Sequence, residues 1–99
     1  MLTTEQIRTT VADYFKDKPV KKVYLFGSYA RGDEDKNSDI DILVHLDYSK
    51  KIGIDFIKWH IALEDYLKKK IDLVPDDVMY ESVKAGANRD KILILSNDR

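Results

Sequence analysis

The stretch Val23-Tyr24-Leu25-Phe26-Gly27-Ser28-Tyr29-Ala30-Arg31-Gly32, continued by Ser38-Asp39-Ile40-Asp41-Ile42-Leu43-Val44, sets the architecture of this chain. Val23 to Phe26 is an unbroken run of strand-forming residues that stops at Gly27, and such a run reads as a strand covered on both faces. Ser28 to Arg31 can open a short helix, and residues 32–38 form a polar loop. From Asp39 to Leu46 the pattern alternates. Ile40, Ile42, Val44 and Leu46 point one way, and Asp39, Asp41, Leu43 and His45 point the other. The link between the two runs is too short for a parallel crossover, so the strands are expected to be antiparallel, with Gly27 and Ser28 beside the start of the second.

Upstream, Thr3 and Gln6 have the spacing of a capping box. Ile7, Val11, Tyr14 and Phe15 then share a helical face, and Lys18-Pro19 ends the helix. Downstream, Ile54 to Lys69 reads as a second long helix with a wide apolar surface made by Ile54, Phe56, Ile57, Trp59, Ile61, Leu63 and Leu67. Lys68, Lys69 and Lys70 stand where they would complement its dipole. Ile71 to Val74 is a short strand closed by Pro75. Asp76 or Asp77 can cap a helix to about Gly86, and Lys91 to Leu95 is a final strand. This order implies an α/β (α+β) fold, a mixed β-sheet of about four strands with helices packed on it.

The chain has 99 residues, enough for one core and no second recognition domain, so residues 1–99 are read as a single domain. Its formal net charge of −1 offers no long-range attraction to nucleic acid. Lys50-Lys51 and Lys68-Lys69-Lys70 read as solvated faces and a helix end. With no cysteine, disulfides and thiolate metal sites are excluded, which fits a reducing cytoplasm. No segment resembles a signal peptide or reaches membrane-spanning length. A cytoplasmic domain is the expectation.

Chemistry concentrates around Gly27 and the aspartates. At a strand-to-helix turn, Gly27 presents no side chain to a phosphate, Ser28 offers a hydroxyl, and the helix start points N–H groups at an anion. Asp39 and Asp41, two apart on a strand, leave the same face roughly 6–7 Å apart at the backbone. That suits one or two Mg²⁺ ions, which favour oxygen ligands. Asp72 is out of place inside the apolar run Lys70-Ile71-Asp72-Leu73-Val74 unless it faces a site. If the two strands are neighbours, three carboxylates converge, and the third could share a metal and accept a proton from an attacking hydroxyl. An EF-hand reading of Asp33, Asp35, Asn37, Asp39 and Asp41 fails, because Ser38 and Val44 stand where that loop needs Gly and Glu. His45 lies about 13 Å along the strand from Asp41, too far to join it. His60 reads as a surface or partly packed helical residue.

Gly27-Ser28, ten intervening residues, Asp39-Ile40-Asp41 and a later strand Asp72 resemble the DNA polymerase beta-like nucleotidyltransferase superfamily. The wording from Gly27 to Gly32 and from Ser38 to Val44 is most similar to the minimal nucleotidyltransferase (MNT) domain, the antitoxin of HEPN/MNT toxin–antitoxin pairs. The resemblance implies that Asp39, Asp41 and Asp72 bind Mg²⁺ and are catalytic. It implies that Gly27 and Ser28 hold the β and γ phosphates of ATP, with Arg31 a further phosphate contact. The implied reaction moves AMP from ATP to a tyrosine hydroxyl of a cognate HEPN-domain toxin, in a hetero-oligomer, and releases pyrophosphate. Two alternatives stay open: an antitoxin that neutralises its toxin by binding alone, and transfer to RNA or a small molecule.

Overall fold

The computed structural model describes residues 3–76 and 91–97. The helix expected after Asp76 or Asp77, to about Gly86, lies within residues 77–90, outside the described ones. Helix α1 spans Thr4–Phe15, and its capping box forms as the spacing predicts. The Thr3 hydroxyl accepts from the Gln6 N–H at 3.1 Å, and the Gln6 side chain accepts from the Thr3 N–H at 2.8 Å. Ile7, Val11 and Phe15, spaced four apart, are buried.

Four strands follow: β1 (Val20–Phe26), β2 (Ile40–Leu46), β3 (Ile71–Pro75) and β4 (Ile92–Ser96), with the one-turn helix α2 (Ser28–Arg31) after β1 and helix α3 (Asp55–Leu67) after β2. Among the described residues they make one sheet in the order β3-β2-β1-β4. The β1–β2 pair is antiparallel, as the short link requires, and so is β1–β4. The β2–β3 pair is parallel, with α3 as its crossover. The sheet is therefore mixed.

Side-chain rows follow from the register. Leu25 faces Ile42, and Ile42 faces Leu73; Val23 and Val44 pair, as do Ile40 and Ile71. These rows, together with Ile7, Val11 and Phe15 of α1 and Trp59, Leu63 and Leu67 of α3, form the core. The Phe15 and Trp59 rings meet edge to face at 5.7 Å, joining the two helices. On the opposite face run Phe26–Asp41–Asp72 and Tyr24–Leu43–Val74. Leu43 is buried there, whereas Tyr24 and Phe26 are only half-buried. The expectation that β1 is covered on both faces thus holds fully on one face and half on the other.

Helix α3 corrects one further expectation, its end. It ends at Leu67, and Lys68 closes it in the left-handed conformation (φ 54°), so the three lysines lie beyond its last turn. Its apolar surface is wide, as expected, and only part of it meets the core. Trp59, Leu63 and Leu67 are buried, whereas Ile54, Ile57 and Ile61 are 66%, 58% and 62% exposed. Among the described residues no helix is long and apolar enough to cross a membrane.

Candidate active site

The β1–α2 turn places Gly27 against β2. Gly27 has φ +73°, which favours glycine, and a Cβ there would collide with the Asp41 carboxylate and lie 3.0 Å from its Cγ. The missing side chain therefore makes room first for Asp41. Ser28 follows as the first residue of α2, half-buried, and Gly32 ends that helix in the left-handed conformation, its N–H on the Ser28 carbonyl at 2.9 Å. As at any helix start, the first N–H groups of α2 have no acceptor within the helix.

Asp41 sits in the middle of the acidic row. Phe26 of β1 is its partner on one side and Asp72 of β3 on the other. Asp41 is half-buried; Asp72 and Asp39, the latter just before β2, are exposed. Burial, then the negative charges of Asp72 and Asp39, push the Asp41 carboxyl from the ordinary 3.8 up to about 6, with the Arg31 guanidinium opposing. The structure thus brings Asp39, Asp41 and Asp72 within electrostatic reach at one end of two parallel strands. Their side chains are not gathered more tightly than that: among the described residues no three acidic or histidine groups form a ready-made metal-holding cluster.

Neighbouring contacts brace this end. Lys70 Nζ lies 3.9 Å from Asp39 Oδ2, and Lys69 Nζ donates to the Lys36 carbonyl at 3.0 Å, tying the entry of β3 to the loop before β2. Arg31 is exposed, and its Nε donates to Asp33 at 3.1 Å. His45, exposed and opposite Lys22, stands apart from the acidic row, as its spacing predicts. His60 is partly packed, as expected, and with Glu64 it reaches the backbone of Ile71, the residue before Asp72. An i,i+4 His–Glu pair on the helix preceding the Asp72 strand was the available signal. Lys50 and Lys51 line an open cavity of about 750 Å³ with Lys16, Lys18 and Lys21, among the counter-charges of Asp17, Asp47 and Asp55. It lies at the other end of β1, roughly 20 Å from Gly27 along a seven-residue strand.

Likeness to known proteins extends over nearly the whole chain. The model of the nucleotidyltransferase domain matches residues 5–96. The chain belongs to the nucleotidyltransferase domain family. Within it, the protein adenylyltransferase MntA of Thermococcus cleftensis is 36% identical over 90 residues, covering 87% of this chain and 86% of that one. The solved structure of a proposed minimal nucleotidyltransferase superposes with a TM-score of 0.77 at 26% identity, covering 92% of this chain and 95% of that one. A chain of the Shewanella oneidensis complex of a tri-AMPylated HEPN toxin with an MNT antitoxin shares the fold, with a TM-score of 0.72 at 18% identity, covering 96% of this chain and 74% of that one. This nucleotidyltransferase is therefore a homologue of MntA with the minimal form of the fold.

Proposed function

We propose that this nucleotidyltransferase transfers AMP from ATP to a tyrosine hydroxyl of a HEPN-domain toxin and thereby acts as its antitoxin. The observation that carries the reading is the lateral pairing of Asp41 with Asp72 beside the Gly27 turn. It joins the two sequence-distant parts of the acidic site in one row. The relatives add the acceptor class: MntA is a protein adenylyltransferase, and the Shewanella oneidensis complex holds an AMPylated HEPN toxin.

The residues present suit a hard divalent cation, since the donor set is carboxylate oxygen throughout. Burial first, and then the charges of Asp72 and Asp39, raise the Asp41 carboxyl, and a bound cation would oppose both by favouring its charged form. Asp39, Asp41 and Asp72 would hold Mg²⁺, in one or two ions, and bound Mg²⁺ would supply charge neutralisation at the phosphates. Gly27 and Ser28 receive the β and γ phosphates on backbone N–H groups and the Ser28 hydroxyl. Arg31 is close enough to influence Asp41 and would exchange its Asp33 partner for a phosphate oxygen. Asp72, the most open of the paired carboxylates, takes the proton of the attacking hydroxyl. The oxygen–phosphorus bond then forms at the α position as the bond to the pyrophosphate oxygen breaks. The need for ATP places this work in the cytoplasm.

Intact mass of the HEPN protein, after incubation with this protein, ATP and Mg²⁺, tests the reading. Wild type should add whole AMP units, and Asp39→Asn/Asp41→Asn should add none. No gain from wild type, in a mixture where the two proteins form a complex, would overturn it. Label from ATP appearing on RNA or a small molecule instead would reassign the acceptor.

One observation favours a second reading, neutralisation by contact alone. Ile54, Ile57 and Ile61 leave an apolar stripe on α3 open to solvent. That reading expects the Asp39→Asn/Asp41→Asn protein to protect cells from the toxin as well as wild type does.

A further inference from the structure

Asp72 reaches the acidic row with little help from its own side chain, which is exposed on the open face of the sheet. Its position beside Asp41 must come from the backbone of β3, and among the described residues β3 is an edge strand. Edge strands have a partner on one side only, so alternate N–H and C=O groups point outward. Here β2 takes the inner side, and the Ile40 N–H donates to the Lys70 carbonyl at 3.0 Å. In a parallel pair, the residue opposite Ile40, which is Ile71, turns its own N–H and C=O away from β2.

Both outward groups are taken by α3. Glu64 Oε2 accepts from the Ile71 N–H at 3.0 Å. His60 Nε2 stands 2.6 Å from the Ile71 carbonyl oxygen and must carry the proton it donates. His60 and Glu64 are one helical turn apart on a common face, with Nε2 and Oε2 3.5 Å apart. For one residue, two side chains do what a neighbouring strand would do. The Ile71 side chain is buried in the core at 1% exposure, so the residue is held by its N–H, its C=O and its side chain. The next residue is Asp72.

We propose that His60 and Glu64 are positioning residues, a clasp that fixes the Ile71 backbone and so holds Asp72 in line with Asp41. The inference rests on Asp72 acting in the transfer reaction, as proposed above. Such outer supports of a carboxylate site change metal affinity and turnover rather than the fold alone, typically by about tenfold or more. The clasp also explains why α3, although its core contacts are apolar, places a His–Glu pair at this one strand residue.

The test compares full-length Glu64→Ala, Glu64→Gln, His60→Ala and Asp72→Asn with wild type, and adds Ile7→Val as a remote, mildly destabilised reference. Three quantities are read: exchange of the Ile71 and Asp72 amides by NMR, affinity for Mn²⁺ alone, and AMP transfer. In Glu64→Ala the Ile71 amide should exchange about tenfold faster. Mn²⁺ affinity and kcat should each fall about tenfold, with KM for ATP within about twofold of wild type. Glu64→Gln keeps an acceptor for the Ile71 N–H and should recover most of each loss. Ile7→Val should leave Mn²⁺ affinity and kcat unchanged. Faster exchange in Glu64→Ala with Mn²⁺ affinity and kcat intact would reduce the clasp to edge protection and overturn the proposal. If Asp72→Asn abolishes transfer while Glu64→Ala and His60→Ala both retain it, the clasp fails alone; if Asp72→Asn retains transfer, the role of Asp72 has failed and the clasp with it.

Discussion

The face of the sheet covered by α1 and α3 and the face that carries Asp41 and Asp72 are built from the same strands. On the covered face Val23, Leu25, Ile40, Ile42, Val44 and Ile71 are buried against Phe15, Trp59 and Leu63, and among the described residues no charged side chain is buried. On the other face a half-buried Asp41 is wedged against a glycine with two more carboxylates in electrostatic reach. The first arrangement stabilises the fold through apolar burial. The second opposes it, because like charges out of water repel unless something neutralises them. A strand can serve both ends because its side chains alternate, so each second residue is released from the core's requirements.

Substitutions on the two faces should therefore separate activity from stability. The largest effect is expected for Asp41→Asn, which should lower AMP transfer by about a thousandfold, about 4 kcal/mol of transition-state stabilisation. Steady-state rates with the partner protein measure it, and a loss below about tenfold would break the contrast between the faces. Leu63→Ala, on the covered face, should destabilise the protein by about 3 kcal/mol through lost burial and the cavity left behind. Urea unfolding gives that figure, and transfer by the remaining folded protein should be nearly normal.

A smaller and opposite effect is expected when Asp41→Asn is unfolded without metal. The Asp41 carboxyl is raised to about 6 in the folded protein from 3.8, so its charge disfavours folding above pH 6, and the penalty disappears as both states protonate below about pH 4. The full shift corresponds to about 3 kcal/mol, and solvent screening of a half-buried group reduces it to about 1–2 kcal/mol. Asp41→Asn should thus be the more stable protein in EDTA at pH 8, by that amount, and equal to wild type near pH 4. Parallel stability curves across that range would mean that the acidic row carries no folding penalty. The smallest effect concerns Tyr29, buried in the core with no partner for its hydroxyl among the described residues. Tyr29→Phe should stabilise the protein by about 1 kcal/mol, seen as a raised Tm, and a lowered Tm would place a hydrogen-bond partner at that hydroxyl.

Much of this was legible in the sequence because the signals are local. The Thr3–Gln6 box, the four-residue spacing of Ile7 and Val11, and the alternation through Ile40, Ile42 and Val44 each report a period that the backbone imposes over a few residues. The antiparallel β1–β2 pair was legible too, since a short link admits no crossover. The exposure of Ile54, Ile57 and Ile61 was not. A helix that is apolar on two sides looks the same in sequence whether one stripe or both meet the sheet. The early end of α3 escaped as well, because Lys68 closes the helix in a conformation usually left to glycine.

By itself, the sequence determined that a glycine turn and two aspartates would meet at the ends of neighbouring strands, and that Asp72 would stand in a strand without an apolar reason. Only the tertiary structure decided that Asp72 pairs laterally with Asp41, that Gly27 is bare because Asp41 fills its space, and that His60 and Glu64 grip the backbone beside Asp72. Periodicity and turn chemistry act between residues a few positions apart. Register across a crossover depends instead on how α3 seats Trp59, Leu63 and Leu67 on the sheet, and a shift of one residue there would turn Asp72 to the other face.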